Sequence, residues 1–346
     1  MSDVLLLSLG TTLGWRVSDS LFVDQLRRAG VSVEPVSVRI GASGRLRRAY
    51  PVTDLVEAGA ARRALAAALD RGSPRAVVIS TTTAAMLADT RGLPYAVRLD
   101  APARLNRPGA QNVGLHALER RALAAARLVL PWSEAARAAL PAGHAPAIVV
   151  PPPIEPSGER PWRRDRLAVA YTPDVKAKGL DIVCGAWAAA GIRDARLEVF
   201  GVEREQALAH LRRTGVEPGD NVEFRGKRSS EEFRAALRQG RVYVGGARWE
   251  DYGQAPLEAL ADGALVATVP SGGPFEALAL ARELAPELVA GAVDAAALAA
   301  ALRVAFELPE QRVDSYRAGA ARLLDRFRPA AIQHTVGAEV VPALLG

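Results

Sequence analysis

Short runs of β-branched and aliphatic residues, each ending in glycine or a polar loop and each followed by a helix-forming stretch, recur along this 346-residue chain. Val4–Leu9 precedes a helix over Leu21–Gly30, Val31–Val38 one near Asp54–Leu69, and Arg75–Ser80 one at Ala84–Ala88. Tyr95–Leu99, a helix over Gly114–Ala126, the strand Leu128–Pro131 and a helix over Ser133–Leu140 continue the series. Strands that alternate with helices predict a parallel, doubly wound sheet, because neighbouring parallel strands must be joined by a crossover. The length exceeds one ordinary core and suits two domains of about 150 residues each. Near Ile148 the chain reads IVVPPPIEPSGERPW, a strand running into three prolines. The expected division is therefore a first domain over 1–150, a linker over 151–162 and a second domain over 163–328.

Composition narrows the class. Aliphatic residues are plentiful and aromatics make up 5% of the chain, as in α/β proteins with buried strands. A single cysteine excludes an internal disulfide, and Cys184 falls on the apolar face of a helix over Leu180–Ala190, where it reads as a small buried hydrophobe in a reducing compartment. DVLLLSLG is too short for a signal core and lacks preceding basic residues, so it reads as the first strand. No run approaches the roughly 18 apolar residues that span a bilayer. The expected location is the cytoplasm, with peripheral contact at the inner face of the membrane left open. Residues 1–150 hold 19 arginines and 11 acids, a balance of +8, whereas the remainder holds 25 basic residues and 27 acids, a balance of −2. Aromatics do not interleave with the arginine clusters, which speaks against a nucleic-acid partner. Only three lysines stand against 41 arginines, and all three, Lys176, Lys178 and Lys227, lie in the second half.

The segment VYVGGARWEDYGQAPLEALADGALVATVPSGGPFEA, Val242 to Ala277, carries the most chemistry. VYVGG predicts a buried strand that stops near Gly245 and releases a loop holding Glu250. Gly253 allows a tight turn, and Pro256 suits the first position of a helix, predicted over Pro256–Ala261 with its C-cap at Gly263. The N–H groups of Gln254, Ala255 and Leu257, at the positive end of the helix dipole, form an anion site suited to a diphosphate. Glu258, one turn inside, can accept two hydrogen bonds from a ribose diol. Taken singly, Glu258 is also explicable as a helix-start acid and Glu250 as a surface loop residue. After the strand ALVATV, the turn Ser271-Gly272-Gly273-Pro274 offers further backbone donors ahead of Glu276.

Two acids with seven residues between them, a glycine before the second, the helix end A-L-A-D-G and a following G-G-x-x-E turn together resemble the donor-binding motif of GT4-family retaining glycosyltransferases, the glycosyl transferases group 1. The resemblance extends upstream through LAVAYTPDVKAKGLDIVCGAWA, where Lys178-Gly179 is placed like the family's lysine-glycine pair before a helix. The arginine that usually precedes that lysine is replaced by Thr172-Pro173, and Lys176 is the candidate substitute. LEVFGVE and NVEFRGKRSSEEFRAAL match the next two strands, with Gly226-Lys227-Arg228 where the family's backbone holds the nucleobase. The likeness covers the C-terminal half and thins in the N-terminal half. It implies the GT-B fold, an α/β architecture of two Rossmann-like doubly wound parallel-sheet domains facing a central cleft, with a terminal helix over 329–346 crossing back to the first domain.

Loops after parallel strands line the crevice of such sheets, so the first domain's chemistry is expected at its strand ends. Gly10-Thr11-Thr12-Leu13-Gly14-Trp15-Arg16 follows the first strand and precedes a helix capped by Ser18; it is similar to the family's glycine-rich loop, which assigns Gly14 and Arg16 to donor phosphate, and an ordinary glycine turn is the alternative. Arg39, Arg45, Arg47 and Arg48 crowd one loop, either as a solvated basic face or as a site for an anionic acceptor or an acidic membrane surface. Ser80-Thr81-Thr82-Thr83 reads first as hydroxyl capping of the next helix. Arg98-Leu99-Asp100 ends a strand where family members carry a histidine near the reacting sugar. None of the four histidines falls there, so Asp100 or Arg98 stands in.

The resemblance implies retaining transfer of a sugar from a UDP-, GDP- or other nucleotide-sugar donor to a sugar, lipid-linked or small-molecule acceptor. Lys178, the helix start and the Gly14 loop would stabilise the leaving diphosphate, and Glu250 would position donor hydroxyls. No Asp-x-Asp or His/Cys metal spacing is present, so neither cofactor nor metal is expected. A sugar-nucleotide epimerase or glycan phosphorylase on the same fold, and a non-catalytic basic binding protein, remain the alternatives.

Overall fold

A computed structural model describes residues 2–10, 13–39, 51–159 and 166–346. The chain divides into two compact units, Met1–Pro153 with Phe327–Gly346, and Ile154–Arg326.

The first unit is built on β1 (Val4–Ser8), β2 (Val33–Ser37), β3 (Ala76–Ser80), β4 (Tyr95–Leu99) and β5 (Leu128–Pro131). They form one sheet in the order β2-β1-β3-β4-β5, all pairs parallel. VLLLS, AVVIS and LVLP are apolar throughout and almost wholly buried, as strands covered on both faces must be. β2 lies at the edge, where Pro35 withholds no ladder bond that a further strand would need. One face of the sheet packs Leu5, Leu7, Val77, Ile79 and Val97 against Ala60, Ala61 and Leu65 of the helix Val52–Arg71. The other packs Val4, Leu6, Val78 and Leu130 against Phe22 and Leu26, and against Ile332, Val336, Val340 and Leu344 from the C-terminal segment. That four-residue spacing keeps one face of the terminal helical run on the sheet through Pro329–Thr335, a π turn over Val336–Val340 and Val341–Leu345.

Three local expectations are corrected here. The first helix spans Leu13–Arg28 and not Leu21–Gly30, so Gly14 and Arg16 belong to its first turn. Ser18 lies inside that helix, fully buried, and accepts a hydrogen bond from Arg98 Nη2 at 2.9 Å, so it caps nothing. The run at Ile148 is no regular strand: Ile148 and Val150 donate to Val129 and Pro131 carbonyls, but the pairing stops at one bridge, Val129 to Ala147, before the prolines.

The second unit also holds one five-stranded sheet, built on β6 (Leu167–Tyr171), β7 (Arg196–Phe200), β8 (Val222–Gly226), β9 (Val242–Gly245) and β10 (Leu265–Thr268). The order is β10-β9-β6-β7-β8, again all parallel. Chain order reverses at β6, which sits between β7 and β9. Crossovers leave β6 toward one side and β9 toward the other, which opens a crevice at their carboxyl ends, where open α/β sheets bind ligands.

Candidate functional site

Lys178 follows β6 and Glu250 follows β9, so both project from the reversal point of the second sheet. Their side chains meet. Lys178 Nζ donates to Glu250 Oε1 at 2.6 Å and to Oε2 at 2.8 Å, with both groups mostly shielded from solvent. Close backbone approach makes this possible: Gly179 has φ +61°, and a Cβ there would collide with the Gly246 carbonyl. The two loops are stitched further by the Arg248 N–H to the Ala177 carbonyl at 3.0 Å, by Arg248 Nη1 to the Lys176 carbonyl at 3.1 Å, and by Arg248 Nη2 to Asp181 Oδ2 at 2.6 Å.

The Gly272-Gly273 turn supports the same loop from the β10 side. Glu250 N–H donates to the Gly272 carbonyl at 2.9 Å, and Gly273, at φ +97°, leaves no room for a Cβ against the Glu250 carbonyl. Its glycines thus hold the Glu250 backbone. Glu276 beyond the turn is engaged by Arg326 Nη2 at 2.6 Å.

The next helix spans Gln254–Ala261 and begins two residues earlier than expected, with Gly253 in the left-handed region at φ +86° as its N-cap. Pro256 is therefore its third residue, a place that still lies within the turn where a missing N–H costs no helix bond. Leu257 N–H is not available to a ligand, because it donates to the Gly253 carbonyl at 3.2 Å; the N–H groups of Gln254 and Ala255 remain at the helix start. Gly263 closes the helix in the left-handed conformation at φ +74°, with its N–H on Leu260 and the Ala264 N–H on Ala259. One small pocket in this unit is lined by Lys178, Glu250, Pro256, Tyr171, Tyr243 and Phe275, which brings the ammonium, the acid and the helix start together.

The Glu258 side chain is mostly buried, 14% exposed. Gln254 Nε2 donates to its Oε1 at 3.1 Å, and Arg234 Nη1 lies 4.0 Å from the same oxygen. Burial pushes the carboxyl above the ordinary glutamate value, Asp262 adds to the shift, and Arg234 and Gln254 oppose it. Tyr171 and Tyr243, whose rings neighbour this acid, are also raised by burial and stay protonated.

The other donor contacts proposed in this unit are Lys176, Gly226 and Lys227. The Lys176 side chain is exposed. Gly226 and Lys227 end the edge strand β8, where Lys227 N–H is taken by Glu203 Oε1 at 3.1 Å.

In the first unit, Arg16 Nη1 donates to the Gly10 carbonyl at 2.9 Å, and Asp100 Oδ1 accepts the Ala101 N–H at 2.8 Å. Thr81, at φ +96°, caps the short helix Thr82–Ala85 by accepting from Ala84 N–H, which is the hydroxyl-capping role read for this run. Arg98 is a correction. Its side chain is 1% exposed, paired to Asp19 at 2.5 Å and stacked 4.3 Å over Phe22, so it is spent on the interior and reads no acceptor. Asp19 also accepts from Ser80 at 2.7 Å and from Ser8. Burial lowers the guanidinium's affinity for its proton, and Asp19 offsets this only in part. Arg45, Arg47 and Arg48 lie outside the described residues. The roles of Arg248, Arg234 and Asp262 were not anticipated, since the pairs Arg248–Asp181 and Arg234–Asp262 lie 67 and 28 residues apart in the chain.

Residues 163–322 match the family model for glycosyl transferases group 1. No curated protein matches the chain in sequence. Among solved structures, the chain is similar to sucrose-phosphate synthase from Thermosynechococcus elongatus at 16% identity, with 98% of each chain covered and a TM-score of 0.78. It is similar to a UDP-forming trehalose-phosphate synthase from Burkholderia xenovorans at 13% identity, 99% of each chain and a TM-score of 0.72. It also resembles Anabaena HepE, solved with UDP and glucose, at 15% identity, 99% of this chain, 100% of that one and a TM-score of 0.72. At these identities the likeness is one of fold, and the fold is GT-B. Residues 163–322 thus carry the likeness to the glycosyl transferases group 1 family, on a chain whose fold is GT-B.

Proposed function

We propose that the chain transfers a sugar from a nucleoside-diphosphate sugar to an acceptor with retention of anomeric configuration, its donor bound in the second unit. The observation that carries this reading is the meeting of Lys178, Glu250 and the open start of the Gln254–Ala261 helix at the sheet's reversal point. An ammonium and two backbone N–H groups present positive charge where a diphosphate would sit, and Glu258 lies one turn further for the ribose diol. The similar structure of Anabaena HepE, solved with UDP and glucose, supports a uridine or similar nucleotide as the donor class.

Negative charge grows on the departing diphosphate as the glycosidic C–O bond breaks, so fixed donors at that oxygen lower the barrier most. The acceptor hydroxyl attacks the same face, and its proton passes to the leaving phosphate oxygen. Glu250, its loop pinned by Gly272 and Gly273, accepts hydrogen bonds from donor sugar hydroxyls, while Lys178 moves from Glu250 onto phosphate. Lysine and helix start supply the cation, so the reaction as proposed uses no metal ion. The balance of +8 over residues 1–150 favours an anionic acceptor such as a sugar phosphate or phosphorylated lipid. Among the described residues no helix is long and apolar enough to cross a membrane. The proposed setting is the cytoplasm, with lipid-linked acceptors met at the membrane surface.

The test is proton NMR of reactions containing UDP-, GDP-, ADP- and dTDP-sugars with glucose 6-phosphate or an anionic lipid acceptor. Transfer of an α-linked donor sugar into an α-linked product is expected. A β-linked product would refute retention, and epimerisation or phosphorolysis without transfer would move the chain to another activity on this fold.

A further inference from the structure

Arg234, on the helix Ser230–Gln239, has no role assigned to it by the sequence motifs, yet it is fixed on three sides. Nε donates to Asp262 Oδ2 at 2.5 Å, and Nη2 donates to Asp262 Oδ1 at 3.0 Å and to the Glu155 carbonyl at 2.7 Å. Asp262 is itself fully buried and accepts the Ser157 N–H at 2.8 Å, so the clamp has no slack. The one nitrogen left over, Nη1, is held 4.0 Å from Glu258 Oε1. Asp262 and Glu258 are one helical turn apart, so a single planar guanidinium spans both acids. Gln254 Nε2 approaches the same Oε1 at 3.1 Å. Both contacts crowd one oxygen and leave Oε2 to a ligand.

We propose that Arg234, clamped by Asp262, is a positioning residue of the donor site that holds the Glu258 carboxylate ready to accept two hydrogen bonds from a ribose diol. The inference rests on the reading of Glu258 given above. Protonation turns one carboxyl oxygen into a donor and weakens the other as an acceptor, so the diol is read best with Glu258 ionised. Burial and Asp262 push Glu258 toward the neutral form, and Arg234 is the nearby cation that opposes them. The other groups facing this acid are Tyr171 from β6, Tyr243 from β9 and Gln254; both phenols are raised above their ordinary value and do not titrate below pH 9. Without Arg234, Glu258 takes up its proton at higher pH, and ribose reading becomes dependent on pH.

Calorimetric affinities for UDP against dUDP, and GDP against dGDP, measured from pH 6 to 9, test this, because titration of the phosphates cancels in the ribo-to-deoxy ratio. The wild type should favour the ribonucleotide about tenfold or more at every pH, the value of a hydrogen bond to a charged group. In Arg234→Met the preference should fall as the pH is lowered through the range and recover as it is raised. The double variant Arg234→Met/Asp262→Asn removes the stranded buried charge and should show the same recovery if the single variant folds poorly. A preference kept at every pH, a loss shared equally by ribo and deoxy forms, or a loss that alkaline pH does not restore would each overturn the proposal. Glu258→Gln, run in parallel, separates the two claims: if it keeps the full preference, the reading of Glu258 itself fails.

Discussion

Lys178 and Glu250 neutralise each other across two loops, and a diphosphate arriving there would replace one anion by another around the same ammonium. The lysine's contribution should therefore grow as charge develops on the leaving group. Lys178→Ala is expected to lower kcat by about 10²-fold or more while raising the donor KM less, measurable by initial rates with the donor varied. A change confined to KM would make Lys178 a binding residue only. Arg98 carries the opposite expectation. Arg98→Ala leaves Asp19 buried and unpaired, so it should cost about 3–5 kcal/mol in denaturant unfolding, with the loss seen in stability and not in acceptor KM. The acids and the lysine were legible because each sits a fixed short distance from a glycine or a helix start. Arg98 and Arg248 were not, because their partners lie 79 and 67 residues away and only the fold brings them together.

At the scale of elements, strand ends were read closely: Tyr95–Leu99 and Leu128–Pro131 were found with both limits correct, since apolar runs bounded by glycine or proline leave little choice. Helix starts were harder. The helix Leu13–Arg28 opens with Leu-Gly-Trp-Arg, whose glycine local propensity does not favour, and the Trp15 ring packs at a tilt against Trp132 with centroids 4.3 Å apart. Tertiary packing set that turn, as it often does. The helix Gln254–Ala261 depends on Gly253 in a related way, because a Cβ there would both strain a φ of +86° and strike the Phe275 ring. Gly253→Ala should destabilise the second unit by about 1–2 kcal/mol and weaken nucleotide binding together, since the same turn aims the N–H groups of Gln254 and Ala255. Thermal unfolding and calorimetry check the two effects; undisturbed nucleotide affinity would remove the helix start from the site.

Across the whole molecule, a five-stranded parallel sheet is used twice with different strand orders, and the second places chemistry where its strand order reverses. That plan was visible in the alternation of strands and helices, whereas strand order depends on which crossovers pack and is not written locally. The C-terminal residues complete the first unit's core: Leu344 is 1% exposed against a cluster that includes Val4 and Leu6. Leu344→Ala should cost about 2–5 kcal/mol and lower the Tm while sparing nucleotide affinity, because the donor residues belong to the other unit. Cys184, fully buried, has its thiol pushed up to about 12, so native protein should react with a thiol reagent only as it unfolds. The central claim is that the second unit binds a nucleoside diphosphate at the β6/β9 reversal point. It is tested most directly by thermal unfolding in the presence of UDP, GDP, ADP and dTDP, for the wild type and Glu258→Gln. At least one nucleotide at 100 times its Kd should stabilise the wild type by about 2.7 kcal/mol and the variant clearly less. Equal stabilisation of both, or none by any of the four, would contradict the account.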